Sequence, residues 1–185
     1  MNPWLVQLLT LLGVAVGAIA SFFSTRLIER SRWQREEAIR WDTKRLECYG
    51  EFAAATNRFI QIAMRVAGGL GLPSTGQPLD SITGLSILAA AEEEVGVKWE
   101  QILMLASPDT ITAAQKWRFV AWHLEWFARG LRGDPDEYVR TVQENEEAKK
   151  RFYTAVRTDL TVVSGEIPDA PEPPLWLTQH WAVYY

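Results

Sequence analysis

The first charged side chain in the chain is Arg26. Trp4 to Thr25 forms an uncharged run of 22 residues, WLVQLLTLLGVAVGAIASFFST. As an α-helix it measures about 33 Å, enough for the hydrocarbon core of a bilayer. The run therefore predicts a transmembrane anchor over residues 1–25. A cleaved signal peptide is the rival reading. Such peptides carry a basic leader, a shorter apolar stretch and a small-x-small cleavage site. No Lys or Arg precedes this run, and it continues through Phe22 and Phe23 beyond Ala18-Ile19-Ala20.

Arg26, Arg30, Arg32 and Arg35 follow the run, whereas the other flank holds only the terminal amine. The bias of basic residues toward the cytoplasm predicts a single-pass protein of the cytoplasmic membrane, N-terminus outside and C-terminal domain cytoplasmic. Arg26, Arg30 and Arg32 are the expected contacts to lipid headgroups. The lone Cys48 can form no intrachain disulfide, which agrees with a reducing compartment. Within the run, Gly13 and Gly17, continued by Ser21 and Ser24, place small residues where a second membrane helix packs closely.

Glycine and proline breaks divide the remainder into long helical pieces. No Gly or Pro occurs from Ala18 to Tyr49, and Arg26 to Glu47 carries seven basic and five acidic residues. That mixture reads as a solvated stalk, a charged juxtamembrane helix over residues 26–50. Beyond it, Phe52, Phe59, Ile60, Ala63 and Val66 recur at helical spacing and mark a core face, and Gly68-Gly69 ends the helix. After a Gly/Pro-rich loop, Ile82 to Ala106 predicts a second helix with Leu85, Leu88, Val95, Trp99, Ile102 and Leu103 inward. Ser107-Pro108 supplies both the cap and the first residue of a third helix ending near Gly130. Asp134-Pro135-Asp136-Glu137 opens a fourth, with Glu137 at the capping-box position. Val139, Val142, Phe152, Val156 and Leu160 carry its apolar period across a polar stretch, Gln143 to Arg151, and it should fade near Ser164-Gly165.

The expected fold is all-α. An N-terminal transmembrane helix continues into the stalk, and an antiparallel helical bundle occupies residues 51–164. Residues 165–185, GEIPDAPEPPLWLTQHWAVYY, read as a Pro-rich spacer and an aromatic tail.

Helix three contains KWRFVAWHLEWFARGL, and its aromatic residues do not share one side. At about 100° per residue, Val120, Leu124, Phe127 and Ala128 group near Trp117, while Phe119, Trp122 and Trp126 fall almost opposite. Either the helix is covered all round, or one face meets a partner. The tail offers Trp176, Trp181, Tyr184 and Tyr185 to the same alternatives: folding back, lying at a membrane interface, or inserting into another protein. The expected partner contacts are Phe119, Trp122, Trp126, Trp176, Trp181, Tyr184 and Tyr185.

No catalytic constellation can be placed by spacing. Neither His123 nor His180 follows a Glu by three positions, so the histidine–carboxylate pattern of bundle metal sites is missing, and no metal or cofactor is expected. His123 reads as a hydrogen-bonded member of an aromatic layer. GGLGLPSTGQP lacks the Gly-Lys-Ser/Thr ending of a phosphate loop. The net charge is −4, and beyond residue 49 there are 12 basic against 18 acidic side chains, which argues against a nucleic-acid partner.

The segments RWDTKRLECYGEFAAATNRF, AAAEEEVGVKW, LMLASPDTITAA and FYTAVRTDL together resemble a set of uncharacterised actinobacterial single-pass membrane-anchored helical proteins. The resemblance implies an N-terminal span, a charged linker helix and a helical domain, with no reaction attached. The functional expectation is an accessory or scaffold subunit that docks a cytoplasmic helical domain onto a larger membrane protein assembly. Its partners would be membrane lipid and other membrane protein subunits or a homo-oligomer. The alternative is a membrane-tethered sensor or regulator with a small apolar ligand pocket; an enzyme ranks third.

Overall fold

The computed structural model describes Trp4 and residues 40–74, 76–162, 165, 167 and 168. The chain divides into two compact units, residues 1–44 and 45–185. In the first, residues 40–44 are helical. Among its described residues the second holds four helices: α1 over 45–69, α2 (Ser81–Leu105), α3 (Pro108–Ala128) and α4 (Pro135–Asp159).

Helices α2, α3 and α4 begin where side chains satisfy free backbone N–H groups. The Asp80 carboxylate accepts from the Thr83 N–H at 2.9 Å to cap α2. The Ser107 hydroxyl accepts from the Thr110 N–H at 3.4 Å to cap α3, with Pro108 in the first turn, where a missing N–H costs nothing. Asp134 caps α4 through the Asp136 N–H at 3.0 Å. Helix α3 stops because Gly130 takes φ +69°, letting the Leu131 N–H return to the Trp126 carbonyl at 2.9 Å. The expected capping box does not form, because the Glu137 carboxylate faces His123 instead.

Cross-links fix an antiparallel order. Between α1 and α2, Lys98 pairs with Glu51 at 2.8 Å and Arg58 with Glu94 at 3.1 Å. Farther along, Gly84 lies against Val66. A Cβ on Gly84 would sit 2.4 Å from Val66 Cγ2, so the glycine allows a close approach of the two helices. Replacing it with alanine should cost about 1–3 kcal/mol by overpacking, read as a lower denaturant midpoint at unchanged slope. Between α3 and α4, Phe127 stacks edge-on to Tyr138, Trp117 meets Asn145, and the Ser107 N–H donates to Asp159 at 3.2 Å.

The core centres on Trp117, which is 0% exposed. Its ring lies 6.0 Å from Phe52 of α1, 5.4 Å from Phe152 and 6.2 Å from Tyr153 of α4. Its indole N–H donates to Asn145 Oδ1 at 2.8 Å. The polar stretch that interrupts the apolar pattern of α4 therefore supplies the acceptor that a buried indole needs. Accordingly, the inner face of α4 is Tyr138, Thr141, Asn145, Ala148, Phe152 and Val156, not the Val139 and Val142 register. On α2, Leu88, Val95 and Ile102 are buried as expected, but Leu103 is exposed.

At the opposite end, the Asp159 carboxylate accepts from both the Tyr49 hydroxyl and the Ser107 N–H, joining α1, α3 and α4. Burial first, then the hydrogen bond to Asp159, raises the Tyr49 phenol above its ordinary value of about 10. A group with a raised folded-state pKa stabilises fully below the unfolded value and loses that contribution as pH rises through the folded one. Stability should hold to about pH 9 and fall above pH 10, and Tyr49→Phe should flatten that alkaline limb in denaturation midpoints.

The all-α bundle of four helices stands, but the membrane and stalk parts of the expected fold are corrected. Among the described residues, no helix is long and apolar enough to cross a membrane. Even α2, with 25 residues, carries Glu92, Glu93, Glu94, Lys98 and Glu100. The run from Trp4 to Thr25 lies outside the described residues apart from Trp4. The solvated stalk to residue 50 fails because Cys48 and Tyr49 are already buried in the core. The helix ends at Asp159, earlier than expected, where Leu160 and Thr161 close its last turn.

Candidate functional site

Helix α3 has two aromatic faces, and the structure treats them differently. Trp117, Ala121, Leu124, Phe127 and Ala128 point into the bundle and are buried. On the far side Phe119 is 54% and Trp126 45% exposed, with Trp122 half-buried between them. The outward stripe Thr112, Gln115, Phe119, Trp122 and Trp126 follows alternating steps of three and four residues, the repeat that keeps one seam facing a second helix. It extends about 21 Å along the axis.

The side chains of the seam are braced. Phe119 and Trp122 lie 5.8 Å apart between ring centres, and Trp126 stands edge-on to His123 at 5.5 Å. The Arg118 guanidinium also lies over Trp122 at 4.8 Å and over Trp99 of α2 at 4.6 Å. Beside that stack opens a cavity of about 280 Å³, lined by Phe59, Val95 and Ala121 below and by Glu92, Glu93 and Arg118 at its polar edge. Burial lowers the Arg118 pKa, while Glu100 and Glu92 oppose that shift.

Sequence spacing missed one constellation. His123 Nε2 lies 3.3 Å from Glu137 Oε1, and His123 Nδ1 lies 3.5 Å from the Thr141 hydroxyl. On paper this is carboxylate, imidazole and hydroxyl in sequence, brought together only because α3 and α4 are antiparallel. The hydroxyl, however, donates to the Glu137 carbonyl at 2.9 Å and Thr141 is 1% exposed. A nucleophile needs its proton directed to the base and an open approach, and Thr141 has neither. The cluster fastens α3 to α4 and holds the Trp126 ring.

Other expectations are placed as follows. Gly13, Gly17, Ser21, Ser24, Arg26, Arg30, Arg32, Trp176, Trp181, Tyr184 and Tyr185 lie outside the described residues. Cys48 is buried, and burial raises its thiol pKa. Among the described residues no group of three His, Cys, Asp or Glu side chains is arranged to hold a metal ion. The apolar ligand pocket is corrected: Trp117 is packed by rings on several sides, and the cavity next to Trp122 has an ionic edge.

Comparison with family profiles, curated proteins and solved structures gave no match. The resemblance to actinobacterial membrane-anchored proteins is thus corrected: its quoted segments are amphipathic helix sequence that specifies a bundle, and no family is attached to it. The membrane-assembly subunit and its lipid and membrane-subunit partners are corrected with the fold, since among the described residues no helix is long and apolar enough to cross a membrane, and nothing supports a homo-oligomer. The single-pass topology of the cytoplasmic membrane is corrected on that same observation.

Proposed function

We propose that this bundle is a non-catalytic recognition domain that receives an amphipathic helix of another protein along the outer face of α3. One observation carries the reading: Phe119, Trp122 and Trp126 stand at helix-pairing spacing on a rigid helix whose opposite face is locked into the core by Trp117. Exposed aromatic clusters are uncommon on isolated domains, and Trp and aromatic anchors dominate binding energetics. Bracing by His123 and Arg118 lowers the entropy lost when such rings are buried by a ligand. A partner helix of about 15 residues matches the length of the seam.

The test is selection of a displayed library of 15-residue helical peptides, about four turns each, against the full chain. Enriched peptides should carry apolar residues at i, i+3 or i+4, and i+7. Phe119→Ala or Trp126→Ala should each weaken them roughly 30-fold, about 2 kcal/mol, while Arg140→Ala on α4 should not. Thermal midpoints of all three variants should stay near that of the parent, because exposed substitutions shift stability within about 0.5 kcal/mol. Absence of enrichment, or affinity indifferent to both aromatic substitutions, overturns the reading.

A further inference from the structure

The cavity between α1, α2 and α3 presents unlike charges that do not satisfy each other. The Arg118 guanidinium is held by Trp99 and Trp122, yet its Nε is buried without an acceptor. Glu92 lines the same cavity from α2, and Glu100 and then Glu92 act on Arg118 electrostatically. Among the described residues neither makes an ion pair or hydrogen bond, although both pairs between α1 and α2, Arg58–Glu94 and Lys98–Glu51, have closed. A buried donor left open costs about 1–3 kcal/mol, and contact with both tryptophan rings holds the guanidinium beside the cavity. The gap between cation and anion is therefore a place for a group that accepts at one end and donates at the other.

We propose that this cavity binds a compact zwitterion of the α-amino-acid type, its carboxylate on Arg118, its ammonium on Glu92 and a small apolar side chain on the floor of Phe59, Val95 and Ala121. A plain anion is disfavoured by Glu92 and Glu93 at the edge, and a plain cation by Arg118. Charge-assisted hydrogen bonds at both ends select the molecule that carries both charges. The volume of about 280 Å³ is at the small end of ligand sites, as such a molecule requires. The site shares Trp122 and Arg118 with the α3 seam, but apart from Ala121 the rest of its lining comes from α1 and α2, and it needs no partner helix.

The experiment is a titration of the full chain, followed by amide chemical shifts, with L-leucine, leucinamide and N-acetylleucine as probes. Leucine should bind at least about tenfold more tightly than either singly charged analogue. Glu92→Gln should remove that advantage over N-acetylleucine, weakening leucine while N-acetylleucine, now repelled by one carboxylate fewer, holds or gains, and Arg118→Gln should remove the advantage over leucinamide. Glu92 is at the cavity edge and outside the core, so its variant remains readable if the arginine variant folds poorly. Equal binding of the three probes, an unchanged preference in Glu92→Gln, or no shifts at about 10 mM leucine overturns the assignment.

Discussion

Replacing Trp117 with alanine should destabilise the bundle by about 3–5 kcal/mol, a large share of the 5–15 kcal/mol typical of a domain. Two losses add. The indole is fully buried among Phe52, Phe152 and Tyr153, so its removal opens a cavity on three helices at once. Asn145, 3% exposed, also loses the donor that its Oδ1 now meets. Chemical denaturation followed by circular dichroism measures the change. Trp117→Phe combined with Asn145→Leu should cost less than the sum of the single changes, because removing both polar partners leaves nothing unsatisfied.

The second large effect lies at the other end of the bundle. Asp159→Ala removes the acceptor for both the Tyr49 hydroxyl and the Ser107 N–H. With two donors orphaned at about 1–3 kcal/mol each, partly relieved by water at this end, a loss of roughly 2–4 kcal/mol is expected. Asp159→Asn retains one carbonyl oxygen and should lose less. Native-state hydrogen exchange should also show the start of α3 opening first, since Ser107 is both its cap and one of the released donors.

Much of this architecture can be read from the chain. Pro108 after Ser107 and Pro135 after Asp134 mark helix starts unambiguously, because few other contexts accept a proline followed by an apolar helical period. Phe52, Phe59, Ile60, Ala63 and Val66 identify the inner face of α1 for the same periodic reason, and all are buried. Phe152 and Val156 of α4 obey the same rule and are buried, but the first half of its inner face could not be read that way. Its centre is Thr141 and Asn145, chosen to serve His123 and the Trp117 indole across the bundle, so hydrophobicity gives no signal for a polar contact made through tertiary structure.

The candidate sites divide along the same line. The opposition of Trp117 to Phe119, Trp122 and Trp126 follows from helix geometry alone, but which face is covered depends on where α1 and α4 lie. The Arg118 cavity is invisible in the sequence, since Trp99 and Glu92 reach it from another helix. The charges from Arg26 to Glu47 predict a solvated stalk to residue 50, whereas Cys48 and Tyr49 already sit in the core. Charge density on a helix reports its outer face and leaves the inner one unread.

On the proposed reading, the outward side of α3, with Phe119 and Trp126 exposed, receives another protein's helix. A photoreactive benzophenone side chain placed at position 119 or 126, in the cell that makes this protein, tests it directly. Both positions should capture the same helical segment of one partner, while the same group at position 140 on α4 captures none of it. Equal capture from all three positions, or none from 119 and 126, would contradict the account.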